Sequence, residues 1–236
     1  MRLRVLILSM VLLPAITAQA IGPRNALPSF SSNWGARVGF AATATYVTDA
    51  FIDGHELTEY TQDTQVGNFA AFFFRMNSRT IFLQSGLGMH CNKSCFYVDK
   101  NSWDPEAETK ADLSCVFTMK SFAVPLQIGY HIVNRPPYCM SVFTGPRFRY
   151  TPDKYYSVAI KNLDPYEFTE TPTELIASWT LGLSVKIGRT FLDFEYEATI
   201  NTVSGPISDL NGIDPAPDFR LNRRLGMMSF SYGIMF

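Results

Sequence analysis

From Trp34 to the end of the chain, apolar and polar residues alternate with a period of two in eight separate stretches. The last, Leu225 to Phe236, shows the rule. Met228, Phe230, Tyr232, Ile234 and Phe236 share one parity, and Met227, Ser229, Ser231 and Gly233 share the other. A period of two is a strand with one greasy and one small or polar face. The same reading predicts strands over Trp34–Thr48, Gln65–Met76, Thr80–His90, Val116–His131, Tyr138–Tyr150, Ser178–Ile187 and Thr190–Ile200. The second stretch is Phe-rich on both parities, so its facing is not set by the pattern. Polar, aperiodic segments fall at Asp49–Thr64, Cys91–Cys115, Thr151–Leu175 and Asn201–Arg224; short turns fall at Asn77–Arg79, Ile132–Pro137 and Gly188–Arg189.

Connections that alternate long and short, with an even number of strands, are the layout of outer-membrane barrels, whose short turns face the periplasm and whose long loops face outward. Charge has a parity too. Arg37, Arg147, Arg149, Lys186, Asp193, Glu195 and Glu197 all stand opposite the greasy face. An Arg or Lys facing lipid at mid-depth costs about 2–4 kcal/mol, which puts these residues inside. The expected fold is therefore all-β: an eight-stranded antiparallel up-and-down transmembrane β-barrel with four long extracellular loops and both termini periplasmic. A soluble barrel would reverse the faces, with charges outside.

The one sustained apolar run, Val5–Ile16, follows Arg2 and Arg4 and precedes Ala18-Gln19-Ala20. It is too short for a span of about 20 residues and reads as a signal peptide over 1–20, leaving 21–236 as the barrel domain. Charged residues make up 17% of the chain and the net charge is −1. With no basic block, a nucleic-acid partner is excluded.

Eight strands leave an interior just wide enough for side chains to fill it. The inward charges thus read as a lumen ion-pair network, with Gln84, Gln127 and His131 nearby, and not as a conduit. The work is left to loops on a rigid scaffold, where Trp103, Tyr155 and Tyr156 are the candidate contacts. Cys91, Cys95 and Cys115 share one long segment, and after export a disulfide between two of them is the default, Cys91–Cys115 stapling the loop base. A zinc site of His90 with these three cysteines is the alternative. His55, His90 and His131 lack a sequence-placed Ser or carboxylate to build a triad. No catalytic, cofactor or metal site is assigned, and no small-molecule substrate is expected.

The segments GARVGFAA, GNFAAFFFRMNSRTIFLQSGLGM and SFAVPLQIGY, continued by GPRFRY, LGLSVKIG and SFSYGIMF, resemble the PorT-like outer-membrane barrels of Bacteroidetes across the mature chain. Pro125 matches the family's proline inside the fourth strand, where a missing ladder donor predicts a bulge or bend. The resemblance implies a barrel that supports type IX secretion, with outer-membrane lipid and secretion-machinery or envelope proteins as partners. A structural or adhesive barrel that binds through its loops is the other reading.

Overall fold

The computed structural model describes residues 30–52, 55–56, 60–98, 113–161, 168–171, 173–203, 207–209 and 219–236. The expected signal peptide and Trp103 lie outside them. Eight strands form the wall: β1 Phe30–Ile52, β2 Gln65–Ser78, β3 Ile81–Val98, β4 Leu113–Arg135, β5 Tyr138–Tyr150, β6 Leu175–Ile187, β7 Thr190–Thr199 and β8 Phe219–Met235. Each pairs antiparallel with its sequence neighbour, and β8 pairs with β1, which closes the ring. Phe236 and Trp34 bond each other's backbones at that seam.

Pairing followed round the ring from Ser32 passes Met76, Leu83, Ile128, Thr144, Leu181, Tyr196 and Met228. It then returns to β1 at Ala42, ten residues on. With eight strands, that stagger tilts each strand about 40° from the barrel axis.

The outer face carries Trp34, Val38, Phe40, Phe72, Leu87, Leu126, Trp179, Phe194, Phe230 and other large apolar residues, all exposed. The inner face at the turn end is built from glycine–phenylalanine pairs. Gly35 lies opposite Phe73, Gly129 opposite Phe82, Gly182 opposite Phe143 and Gly233 opposite Phe191, one pair in each of the hairpins β1–β2, β3–β4, β5–β6 and β7–β8. A Cβ on Gly129 would come within 2.1 Å of the Phe82 ring, and one on Gly182 within 2.3 Å of the Phe143 ring. Glycine is what lets each ring come up against its partner's backbone. Phe73 and Phe191 meet edge to face at 5.4 Å and cluster with Met235.

Three expectations need correction. First, the segments read as long loops begin as wall: β1, β3, β4 and β8 run on past the expected ends to Ile52, Val98, Leu113 and Phe219. In this upper storey the phase of the pattern inverts. Phe96, Val98, Cys115, Phe117, Met119, Leu221 and Leu225 point inward and are buried, while Lys93, Lys120, Asn222 and Arg224 point outward. Strand Tyr60–Asp63 pairs with β3, and Tyr156–Lys161 pairs with β4, widening this storey into a crown.

Second, Pro125 makes no bulge. The β3–β4 ladder stops at Ser85–Leu126 and resumes at Gly88–Ala123 in the same register, because a proline can drop a donor without inserting a residue. The register shifts lie instead at Val47/Asp49 and at His131/Val133. Third, β1 starts at Phe30, four residues before the expected Trp34.

Candidate functional site: the filled lumen and its crown

Above the phenylalanine layer the lumen is ionic. Residues on alternate positions of β7 present Asp193, Glu195 and Glu197 to the arginines of β1 and β5. Arg37 Nη1 meets Asp193 Oδ2 at 3.0 Å and also pairs with Glu195. Arg147 bridges Glu195 and Glu197, the latter at 2.5 Å. Arg149 closes the chain with a two-pronged bond to Glu197, Nε to Oε1 at 2.8 Å and Nη2 to Oε2 at 2.6 Å. Ser178 Oγ donates to the same carboxylate at 2.6 Å. All six charged groups are buried. At this depth such charges persist because each faces an opposite charge.

Lys186, expected in this set, stands apart: it is half-buried near the turn end and makes no ion pair among the described residues. Arg75, which the Phe-rich strand concealed, takes an inward place. It stacks over Phe82 at 4.2 Å and donates through Nε to Gln84 at 2.7 Å. From there an amide ladder crosses the bore, Gln84 to Gln127 at 3.1 Å and Gln127 to Thr180 at 3.1 Å. The signal that could have found Arg75 is Gly35: the glycine that accommodates Phe73 fixes the parity of β2, and hence of Arg75.

The crown places a second apolar layer over the charges. Phe96 stacks on Phe117 at 5.7 Å, among Ala50, Val98, Cys115 and Leu221. Met119, Ile176, Val203 and Leu225 pack beside them. Arg223 lies 3.8 Å over the Phe117 ring, pairs with Glu170 at 2.9 Å and donates to the Tyr156 hydroxyl. Tyr156 in turn donates to Glu170 at 2.6 Å. Burial, before any charge effect, pushes the Tyr156 phenol above its ordinary value, so it remains a donor. The clamp ties Tyr156 and Glu170 to Arg223 of β8. Tyr156, expected as a loop contact, is thus turned inward; Tyr155 is the exposed member of the pair, with Lys154 4.9 Å above its ring.

The cysteines do not sit in a loop. Cys91 and Cys95 are on β3 and Cys115 is on β4, and all are free, as is Cys139. Cys91 lies opposite Lys120, whereas Cys115 lies opposite Phe96, too many rungs away for a bridge. Cys95 and Cys115 occupy opposite faces of the ladder, so neither the expected disulfide nor the zinc alternative with inward His90 can assemble. Burial raises the Cys115 thiol above its ordinary pKa and keeps it protonated. His90 stacks on Phe69 at 4.8 Å. His131 meets Ser141 at 2.8 Å and Cys139 at 3.3 Å. No carboxylate bonds this histidine among the described residues, and the group is buried, so the cluster lacks the third member of a triad. His55 lies in a two-residue strand paired with the top of β1.

No family model and no curated protein matches the chain. Among solved structures, OprG of Pseudomonas aeruginosa, an outer-membrane protein, aligns over 87% of this chain and 96% of its own, with a TM-score of 0.55 at 10% identity. Neisserial surface protein A aligns over 86% and 97%, TM-score 0.41 at 10% identity. Ail, the attachment invasion locus protein of Yersinia pestis, aligns over 87% and 99%, TM-score 0.39 at 10% identity. These likenesses do not bear on the PorT-like family in particular. The chain has the fold of the small outer-membrane β-barrels.

Proposed function

We propose that the protein is an integral outer-membrane barrel without enzymatic activity, a rigid scaffold that works through the crown at its loop end. The observation that carries this reading is the inversion of polarity along the wall. In the lower storey greasy residues face out and charges face in; in the crown the order reverses. A barrel in water throughout has no use for the lower arrangement, and one in lipid throughout has no use for the upper. The boundary between them is where the hydrocarbon ends.

The lumen supports scaffold over channel. Among the described residues, the ionic layer is sandwiched between the phenylalanine layer and the Phe96–Phe117 layer, an arrangement that favours a filled interior over a conduit. Exposed crown residues such as Tyr155 are then the contact surface, and both termini sit on the periplasmic side with the turns. The resemblance to PorT-like barrels gives this surface a specific task, supporting protein secretion or surface assembly. Binding of external material by a structural or adhesive barrel is the second reading.

Deletion of the gene, followed by a survey of surface-exported proteins, tests the task. Loss of exported proteins from the surface is expected; normal export with impaired attachment would favour the adhesive reading. Membrane residence is tested separately, by co-flotation of the refolded chain with lipid vesicles.

A further inference from the structure

One part of the outer wall departs from the smooth apolar band. Between β8, β1, β2 and β3 it is indented by a groove of about 460 Å³, walled by Val38, Phe40, Met89 and Tyr232. The depth has a simple origin: Ala70 lies between Val38 and Met89 in register, so a methyl group separates two larger side chains. A polar residue stands at the upper end. Asn68 lies between Phe40 and Cys91, faces outward, and has no side-chain hydrogen-bond partner among the described residues. An amide on an otherwise greasy face is unfavourable unless something there bonds it.

Immediately beyond it the wall turns basic. Lys120 pairs across the ladder with Cys91, and Lys93 follows Cys91 by two positions on the same outward face. The two lysines are diagonal neighbours, about 7–8 Å apart at the backbone. Both are exposed, and neither forms an ion pair among the described residues. The closest acid in register, Asp63 opposite Cys95, accepts from Gln65. Down the wall, then, come two unpaired cations, one amide, and an apolar groove. That is the order of phosphate, ester or amide linkage, and acyl chain in a membrane lipid.

We propose that this wall holds one phosphate-bearing lipid of the loop-side leaflet, its chain in the groove, its linkage on Asn68 and its phosphate between Lys93 and Lys120. The proposal rests on the membrane placement above and adds a specific ligand to it. Lysine is a point-charge binder of phosphate and tolerates varied headgroups, so the site selects for the phosphate and the chain together.

The test is native mass spectrometry of the full chain released from detergent, with phosphatidic acid as the probe, diacylglycerol of the same chains as the phosphate-free control, and inorganic phosphate as competitor. Wild type should keep one phosphatidic acid, take up no diacylglycerol, and not release the lipid to inorganic phosphate. Lys93→Gln with Lys120→Gln should cut occupancy at least tenfold. Ala70→Trp, which fills the groove while keeping both lysines, should do the same, and Arg135→Gln at the far rim should change nothing. Unchanged occupancy in the double lysine variant or in Ala70→Trp would overturn the proposal. So would displacement by inorganic phosphate, or a second copy of the chain seated on the groove as a lipid-independent dimer. Co-flotation with vesicles is read in parallel for every variant. If wild type fails to float, the membrane placement itself is wrong; if it floats and the adduct is insensitive, only the lipid site is.

Discussion

Replacing Glu197 by Gln removes one charge and almost no volume from the centre of the lumen. The carboxylate accepts from Arg147 Nη1 at 2.5 Å, Arg149 Nε at 2.8 Å, Arg149 Nη2 at 2.6 Å and Ser178 Oγ at 2.6 Å. Arg147 retains Glu195 after the change, but Arg149 has no second carboxylate among its bonds and is left as a buried, uncompensated cation. The glutamine amide also turns a donor toward guanidinium donors. Breaking one side of a buried pair costs about 3–5 kcal/mol. The retained carbonyl oxygen keeps one acceptor, so the low end applies, about 3 kcal/mol or a factor of about 150 in the folding equilibrium. Urea unfolding of the barrel in lipid vesicles, read by tryptophan fluorescence and by the mobility shift of unheated samples, resolves a change of that size. Combining Glu197→Gln with Arg149→Met removes the stranded cation and should recover a substantial part of the loss, since a buried pair replaced as a unit is often nearly neutral. A loss below about 1 kcal/mol for Glu197→Gln, with no recovery in the double variant, would refute a lumen held together by this network.

Phe117→Ala should destabilise the crown by about 3–5 kcal/mol, because it empties the stack on Phe96 and removes the ring beneath Arg223; limited proteolysis of the loops, unchanged by the substitution, would contradict that. Gly129→Ala forces the Phe82 ring out of its place and should cost about 1–3 kcal/mol in the same urea assay, whereas Gly188→Ala meets nothing and only bears the strain of a left-handed turn at φ 63°. Denatured without reductant, the chain should react with four equivalents of a thiol reagent; two equivalents would mean that a disulfide had formed and that the β3–β4 register is wrong. Tyr156→Phe keeps the ring and removes the donor to Glu170, and should loosen the mouth, measured as faster amide exchange in the 156–161 strand, without changing the stability of the lower wall.

How much of this was legible depended on which solvent faced each stretch. Where apolar residues pointed out and charges in, over Trp34–Tyr46 or Thr190–Thr199, alternation was strong and identified strand and face together. In the crown the same period persists, but the inward row is interrupted by Arg223 and the outward row carries lysines and asparagine, so the segments looked like polar loops. The run Phe72-Phe73-Phe74 defeats parity by putting aromatics on both faces, which hid Arg75. Neighbouring tyrosines could not be told apart either: only the register of Tyr156–Lys161 against β4 turns Tyr156 inward and leaves Tyr155 out. The cysteine spacing was misleading for a plain reason. Closeness along a loop and closeness across a ladder are different distances, and a strand turns successive thiols to opposite sides.

With the membrane placement proposed above, the reversal of polarity partway up the wall also sets how deep the barrel rides. Raising it by a few residues would drag Leu87, Met89 and Phe122 into water; lowering it would drown Lys93, Lys120 and Arg224 in hydrocarbon. Both displacements are uphill, so the vertical position is a minimum set by the chain itself and does not wait on a partner to hold it. Whatever meets the crown meets it at a fixed height above the bilayer, on a platform that can neither sink nor bob.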